Sequence, residues 1–299
     1  PPAPPPPAAA PGLTPSIELS PKGVPPFPFL TLLVSGGHNM LVLSRALGQH
    51  TILGSTLDDS IGEAFDKTAR LLGISAIPGG PSLEKLALLG DAKKHQLPRP
   101  LSKTKDASLR SSCDFSFSGL KSAVRLLLDS VLPAPKRAAL SAAEQQAARA
   151  DVAASFQRVA VEHLAERTAR ALQWAKDVEP GLSCLVVAGG VAANQTVRAM
   201  LARAASEAKL PMVCPAVRLC MDNGIMVAWT GLQRLLLGLG ERPPTRTEDV
   251  ELFVEVRPRW PIGERDVRST TQQQQLSKRK SGLQATASSD QPKRAKGAK

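Results

Sequence analysis

The sequence lacks any long uninterrupted stretch of apolar residues, although 42% of its 299 residues are apolar. No apolar run approaches the roughly 18 residues that a membrane-spanning helix needs, so a transmembrane protein is excluded. A chain of this length and composition can bury one large core or two small ones. We therefore expect a soluble globular protein and not a fibrous one.

Cysteine and N-terminal basic residues are also scarce. The four cysteines, Cys113, Cys184, Cys214 and Cys220, form no CxxC pair, so neither structural disulfides nor a zinc site is expected. No Lys or Arg precedes Lys22, and the N-terminal stretch is not amphipathic, which is unlike a transit peptide. Because the sequence begins with proline, targeting cannot be read from this end.

Positive charge is in excess. The formal net charge of +12 favours a polyanionic partner, and nucleic acid is the first candidate. Much of this excess is local, since residues 268–299 hold eight Lys or Arg against the single acidic residue Asp290. That stretch carries a balance of +7 and leaves about +5 for the rest of the chain, so the folded part is only moderately basic.

Composition divides the chain into three parts. Residues 1–28 hold twelve of the 26 prolines, a density that prevents helices and sheet ladders, so we expect a disordered leader. Residues 264–299 have few apolar side chains and are expected to form a disordered basic tail. Its KRK and PKRAK clusters fit nuclear import or RNA contact, and equally a solvated low-complexity tail. The folded domain is then residues 29–263.

Hydrophobic periodicity predicts an α/β fold in which helices flank a mixed sheet. Strands are predicted at 29–37, 40–45 and 51–57, helices at 61–73, from 115 and over 141–176, and irregular structure at 74–112. Residues 182–216 read strand, glycine-rich turn, helix, strand, which is a βαβ unit with parallel strands. A last helix is capped by Asp222 or Asn223. This order is that of one lobe of the ribonuclease H-like fold shared by actin and sugar kinases.

Two glycine-rich turns follow predicted strands, VSGG at 34–37 and AGG at 188–190. Glycine lets backbone amides approach phosphate oxygens because no Cβ stands in the way. Each turn alone is more often an ordinary tight turn. The two together, with Asn194 at the start of the following helix, fit a nucleotide held between loops.

Three polar residues near these turns each have a structural and a functional interpretation. Asp66 is next to Lys67, so it either forms an exposed salt bridge or accepts hydrogen bonds from ribose hydroxyls. His38 is a ligand, an acid or base, or most commonly a loop hydrogen bonder. Asp222 is a helix cap or a metal-binding or catalytic carboxylate.

Seven motifs occur in an order and at spacings that resemble the tRNA threonylcarbamoyladenosine synthase family, in its bacterial and organellar branch. The resemblance runs from about Phe27 to Pro261. The motifs are VSGGH at 34–38, IGEAFDKTARLLG at 61–73, PGGP at 78–81, DFSFSGLK at 114–121, GGVAANQTVR at 189–198, CMDNGIMVAW at 220–229 and RPRWP at 257–261.

The resemblance implies an actin-like ATPase fold and a transferase. Such enzymes move a threonylcarbamoyl group from threonylcarbamoyl adenylate to the exocyclic amine of the adenosine beside the anticodon, in tRNAs that read codons starting with A. No covalent intermediate is needed, so no catalytic nucleophile is named. The resemblance also implies one divalent metal ion (iron, zinc or magnesium), bound in part by Asp222, and a separate enzyme that supplies the adenylate. The nucleotide-binding positions it implies are Leu33, Val34, Ser35, Gly36, Gly37, Asp66, Gly80 and Asn194.

The sequence departs from the family in its histidines. The family has a metal-binding HxxxH pair before the VSGGH loop, and an N-terminal lobe with its own phosphate loop before that pair, whereas this sequence has only His38, His50, His95 and His163. A single carboxylate, Asp222, holds a metal poorly, so we expect the chain to be inactive alone. A non-catalytic nucleotide- or RNA-binding remnant, or a partner subunit, is the alternative.

Other functions and properties stay open at this point. An actin-like ATPase or sugar kinase shares the fold but lacks the DFSFSGLK and RPRWP motifs. A homodimer is compatible with the sequence, and no membrane partner is expected. The organellar resemblance favours the mitochondrion, while the KRK and PKRAK clusters fit the nucleus or another organelle.

Overall fold

The computed structural model of the chain describes residues 24–220, 222–239 and 261–269. Its strands are β1 Phe29–Val34, β2 Asn39–Ala46, β3 Gln49–Ser55, β4 Leu185–Ala188, β5 Met212–Val213 and β6 Glu264–Arg265. Its helices are α1 Ile61–Leu71, α2 Gly80–Ala87, α3 Ala107–Ser111, α4 Ser118–Val131, α5 Ala134–Ala139, α6 Ala142–Val178, α7 Gln195–Glu207 and α8 Gly224–Leu236. The predicted elements are present with bounds shifted by a few residues. The exception is 74–112, which was predicted to be irregular and contains α2 and α3.

The six strands form one mixed sheet with the order β5-β4-β1-β2-β3-β6. β1, β2 and β3 are an antiparallel meander, and β4 lies parallel to β1 with β5 parallel to β4. The crossover from β4 to β5 is helix α7. The meander followed by parallel strands on the other side of β1 is the expected ribonuclease H-like arrangement, and the predicted βαβ unit is confirmed.

The core lies between the sheet and the long helix α6. In β1, every second residue (Leu30, Leu32 and Val34) is fully buried, as expected for a strand with one face on the core. Helix α6 begins with a capping box, in which Ser141 and Glu144 satisfy each other's backbone amides, an arrangement whose cap contributes about 1 kcal/mol. Its many alanines keep helix propensity high and let neighbouring elements approach closely.

Residues 264–269 pack against the sheet, so the described fold continues past the predicted domain boundary at residue 263. Strand β6 pairs in parallel with β3, and Arg265 forms an ion pair with the buried Asp114 at 2.6 Å. Ser269 is also buried and donates a hydrogen bond to the carbonyl of Leu53. The ordered part therefore reaches at least residue 269. Residues 1–23 of the predicted disordered leader (1–28) and residues 270–299 of the predicted tail (264–299) lie outside the described residues. In the described end of the leader, the carbonyls of Pro26 and Pro28 accept hydrogen bonds from Ser183.

Helix α8 differs from the other long helices because none of its residues is buried. Asn223, one of the two predicted caps, accepts a hydrogen bond from the backbone amide of Met226 at 3.0 Å. The described residues leave its large apolar side chains exposed, among them Ile225, Val227 and Trp229. No helix in the described ranges has the length and apolar character needed to cross a membrane.

Candidate functional site

A cleft of about 580 Å³ lies where the loops after β1 and β4 meet the N-termini of α1 and α2. Six of the nine residues singled out from the sequence line it: Ser35, Gly36, Asp66, Gly80, Asn194 and Asp222. The other three, Leu33, Val34 and Gly37, are not among its lining residues. Val34 is fully buried in β1, so that its side chain supports the sheet.

The loop after β1 has a fixed shape. The Oγ atom of Ser35 accepts hydrogen bonds from the amides of Gly37 and His38, and the Ser35 amide donates to the His38 carbonyl at 2.9 Å. His38 is therefore a loop hydrogen bonder through its backbone, the commonest of the three interpretations. A Cβ atom at Gly36 would have no neighbouring atom within 4 Å, so the space in front of this glycine is open on the cleft side.

The N-terminus of α1 is pressed against this loop. The Oγ atom of Ser60 donates to the Gly36 carbonyl at 2.6 Å and also accepts from the Glu63 amide, which caps the helix. A Cβ at Gly62 would lie 2.5 Å from the Ser35 carbonyl oxygen, a distance that no side chain tolerates. Glycine at this position lets the positive end of the helix dipole approach the cleft.

Asp66 does not form the salt bridge with Lys67 that its sequence position allowed. Its Oδ1 atom accepts hydrogen bonds from the amides of Gly79 at 2.8 Å and Gly80 at 3.1 Å, at the start of α2. Lys67 pairs instead with Glu63 and Asp59, and hydrogen bonds to these two carboxylates raise the pKa of Lys67 to about 12. Asp66 thus fixes the PGGP turn to α1 and places Gly80 at the cleft.

The second glycine turn brings the N-terminus of α7 to the same cleft. Gly189 has a φ of 104°, and a Cβ there would lie 2.2 Å from the Val34 carbonyl oxygen, so only glycine fits. Asn194 is buried and caps α7 by accepting from the Val197 amide at 2.9 Å. Its Nδ2 donates to Gln157 at 3.2 Å. The Asn194 side chain is therefore used mainly to hold the turn.

Glu84 is a cleft residue that sequence reasoning missed. Its Oε1 atom accepts from the amide of Gln195 at 2.7 Å, which joins α2 to the start of α7. A signal existed, because Glu84 follows Gly80 by four residues and so lies on the same face of the helix. Cys220, which also lines the cleft, gave no comparable signal.

The electrostatic character of the cleft is mixed. Three carboxylates line it, those of Asp66, Glu84 and Asp222, and no Lys or Arg of the described residues does. The N-termini of α1, α2 and α7 lie at the same cleft, and helix N-termini attract anions through their free amides and dipoles. The arrangement favours a ligand with hydroxyl groups that donate to carboxylates and a phosphate that accepts from amides.

The residues at the cleft do not fit a catalytic metal centre. Within the described ranges no group of three His, Cys, Asp or Glu side chains comes together, and Asp222 is the one predicted ligand at the cleft. None of the four histidines lines it. Burial lowers the pKa of His163 to about 3, with neighbouring arginines contributing. This histidine is packed between Phe115 and Phe117.

Among the described residues, the DFSFSGLK motif makes hydrogen bonds that hold neighbouring elements of the fold together. Asp58 accepts hydrogen bonds from the hydroxyls of Ser116 at 2.6 Å and Ser118 at 2.7 Å and from the Phe117 amide at 2.8 Å. These contacts close the start of α4 over the loop that follows β3. The motif thereby supports the N-terminus of α1, which begins three residues after Asp58.

Comparison with known families gives a match over residues 12–229 to the model of tRNA N6-adenosine threonylcarbamoyltransferase. The chain belongs to this family. Its members have the actin-like, ribonuclease H-like fold, so the fold expected from the order of elements is confirmed. The family match also covers the cleft residues from Ser35 to Asp222.

Individual relatives agree with this assignment. The chain is 49% identical over 240 residues to a protein of Arabidopsis thaliana named probable tRNA N6-adenosine threonylcarbamoyltransferase, mitochondrial. It is 48% identical over 239 residues to the tRNA N6-adenosine threonylcarbamoyltransferase of Gluconobacter oxydans, and 44% identical over 236 residues to that of Paramagnetospirillum magneticum. These matches cover about 80% of the chain but 49%, 59% and 61% of the three relatives. The chain thus spans about half to three-fifths of their length.

Proposed function

We propose that the chain supplies the adenylate-binding part of a tRNA N6-adenosine threonylcarbamoyltransferase. In this proposal the cleft holds threonylcarbamoyl adenylate while the threonylcarbamoyl group moves to the exocyclic amine of an adenosine in tRNA. Family membership supports the reaction class. The names of the relatives suggest tRNA as the acceptor substrate, and the resemblance of the seven motifs suggests threonylcarbamoyl adenylate as the donor.

The observation that carries the proposal is the meeting of three helix N-termini and two glycine turns at one cleft. Ser35 and Gly36 bring backbone to the cleft near the start of α1. The amides of Gly36 and Gly62 donate no hydrogen bond among the described residues and suit the single phosphate of an adenylate. The carboxylates of Asp66 and Glu84 can accept hydrogen bonds that ribose hydroxyls donate. Phe65, Pro78 and Val191 also line the cleft and offer apolar surface to the base.

The chain's own residues bind and orient the adenylate in this reaction. Acyl transfer from a carbamoyl-phosphate anhydride releases the nucleotide as an anion, and amides aimed at that charge stabilise the leaving group. Asp66 and Asn194 also act indirectly, since Asp66 Oδ1 holds the amides at the start of α2 and Asn194 caps α7. No step is assigned to a metal ion, because the described residues do not provide its ligand set.

A second candidate function is a nucleotide-binding module that does not catalyse transfer by itself. It is favoured by the same shortage of metal ligands, with Asp222 as the one predicted ligand at the cleft. Both candidate functions require the cleft to bind the adenylate. Only the transferase would also convert it and modify tRNA.

The partners and location follow from the proposed reaction. The chain would meet tRNAs that read codons starting with A, and another enzyme would supply the unstable adenylate. We also propose a mitochondrial location, supported by the name of the Arabidopsis relative.

The test combines binding with product analysis. Titration calorimetry with threonylcarbamoyl adenylate and with adenosine monophosphate should give binding of both, with the acylated ligand tighter. The chain is then incubated with tRNA, the adenylate and a divalent metal ion, and the digested tRNA is examined by nucleoside mass analysis. Product from the 299-residue chain supports the transferase, whereas binding without product supports the module. If neither ligand binds, both the transferase and the binding module are contradicted.

A further inference from the structure

The loop that connects α2 to α3 carries a concentration of positive charge that the cleft does not use. We name residues 93–105 the basic loop. It contains five basic residues, Lys93, Lys94, Arg99, Lys103 and Lys105, and no Asp or Glu. Each of the five is exposed.

The basic loop is anchored firmly on helix α6. The backbone amide of His95 donates to Ser155 Oγ at 3.2 Å, and Arg158 Nε donates to the carbonyl of Ala92 at 2.8 Å. Leu97 packs against the hydrophobic core. These contacts join the loop to the most extensively buried helix of the domain.

The middle of the basic loop is conformationally restricted. Pro98 and Pro100 fix the backbone on both sides of Arg99, and Ser102 Oγ donates to the Arg99 carbonyl at 2.7 Å. Leu101 has a φ of 58°, a left-handed conformation that costs about 1 kcal/mol or more in a residue other than glycine. The surrounding contacts thus hold the loop in one shape. A preformed loop loses little conformational entropy when it binds a partner.

The charge of this loop is not neutralised within the described part of the chain. Arg99 lies 3.9 Å from Glu162 and 4.0 Å from Glu166, and both carboxylates also pair with arginines of their own helix. The exposed lysines at positions 93, 94, 103 and 105 take part in no described ion pair. A fixed loop that leaves four ammonium groups to the solvent suits a polyanion.

Helix α6 connects the basic loop to the cleft, because Ser155 and Arg158 hold the loop and the neighbouring Gln157 accepts a hydrogen bond from Asn194 at the cleft. Helix α2 begins at the cleft with Gly80 and ends at Ala87, and eight residues of helix extend about 12 Å. The basic loop follows the far end of this helix. A polynucleotide that places one nucleotide at the cleft has neighbouring phosphates within that reach.

We propose that the basic loop binds the phosphate backbone of the RNA substrate and so positions the RNA at the cleft. The proposal rests on the proposed function, which supplies the RNA. Lysine is a point charge that recognises phosphate without reading the base. The loop has no aromatic side chain to stack on a base, so its contribution to affinity should be independent of sequence and sensitive to salt.

The test uses the full chain with Lys93, Lys94, Lys103 and Lys105 changed together to Gln. The control changes four other exposed basic residues to Gln, namely Arg125, Arg203, Lys209 and Arg234, so that both variants lose the same charge. Affinity for an unmodified tRNA transcript is measured by fluorescence anisotropy between 50 and 200 mM salt, and adenylate binding by calorimetry.

The slope of log K against log salt should fall by about 3 in the loop variant, as for four lost phosphate contacts, and the variant should bind the transcript at least about a hundredfold more weakly at the low-salt end. The control variant should keep most of the parent's affinity and slope. Equal losses in the two variants, or no loss in the loop variant, would overturn the proposal, as would a parent chain that does not bind RNA. Adenylate binding should be unchanged in both variants. If the parent does not bind the adenylate, the proposed function of the cleft is contradicted. The proposal for the basic loop is then decided by the RNA affinities of the two variants.

Discussion

Replacement of Asp66 by alanine should lower both stability and nucleotide affinity. The substitution removes two hydrogen bonds, from the amides of Gly79 and Gly80 at 2.8 and 3.1 Å. Loss of an N-terminal cap costs about 0.5–2 kcal/mol, and hydrogen bonds to a charged group contribute about 1.5–3 kcal/mol. Taking about 2 kcal/mol, the Tm should fall by about 4–8 °C for a folded part of this size.

Asp66 has two roles, in stability and in ribose binding, and a second variant separates them. Asp66→Asn keeps an acceptor oxygen for the Gly79 and Gly80 amides, so its Tm should stay close to that of the parent. It lacks the second carboxylate oxygen that ribose hydroxyls would use, and adenosine monophosphate should bind it about three- to tenfold more weakly, as for one lost hydrogen bond. The exposed Asp129 supplies the control, since Asp129→Ala should change the Tm by less than about 2 °C. The Tm values are measured by scanning calorimetry. If Asp66→Ala has the same Tm as Asp129→Ala, the capping role of Asp66 is refuted.

Three further outcomes concern the core and the chain end. Arg265→Ala leaves the carboxylate of Asp114 buried without its ion-pair partner, so urea unfolding should show a loss of about 3–5 kcal/mol, against less than about 1 kcal/mol for the exposed Arg203→Ala. Equal effects of these two changes would contradict the placement of β6. The folded pKa of His163 is lowered by burial to about 3, so the unfolded chain takes up its proton first as pH falls below about 6.5, and stability should drop by about 2 kcal/mol between pH 6.5 and 5. His163→Gln should remove that part of the pH dependence, and an unchanged slope would show that another group is responsible. Deletion of residues 270–299 should leave the Tm nearly unchanged and reduce the salt dependence of tRNA binding, whereas a large fall in Tm would mean that these residues pack on the core.

Local patterns in the sequence predicted most of the elements that form the cleft. The alternation in β1, the helical face of Ile61 to Leu72 and the glycine turns at 34–37 and 188–190 all follow from contacts over a few residues. Such short-range rules apply before any tertiary contact forms. They explain why six of the nine selected residues lie at one cleft.

Contacts between distant residues could not be predicted in the same way. Asp66 meets amides 13 and 14 residues further along the chain, and Glu84 meets Gln195 across 111 residues. A carboxylate in a helix has many partners within reach, and only the packed fold selects one. A salt bridge with the neighbouring Lys67 was therefore one of two interpretations of Asp66 left open by the sequence, whereas Lys67 pairs with Glu63 and Asp59.

Strand β6 was missed for a different reason. It contains two charged residues, Glu264 and Arg265, and lies beside a low-complexity sequence, so it has no apolar alternation. It is held by its pairing with β3, by the contacts of Arg265 with Asp114 and Ser55, and by the small Gly263, where a Cβ would lie 2.0 Å from the His50 carbonyl oxygen. Patterns of apolar residues cannot reveal an element that is held by polar contacts.

The central claim is that the cleft binds the adenylate, and filling the cleft from its own backbone tests that claim most directly. Gly36 and Gly190 line the cleft, and a Cβ at either meets no atom within 4 Å, so Gly36→Val and Gly190→Val should fold with a Tm close to that of the parent. Gly181 has equally open surroundings but does not line the cleft, and Gly181→Val is the matched control. In titration calorimetry with adenosine monophosphate, we predict that the parent and the Gly181→Val variant bind alike and that both cleft variants lose at least about tenfold in affinity. Folded cleft variants that bind the nucleotide as tightly as the parent would contradict the account.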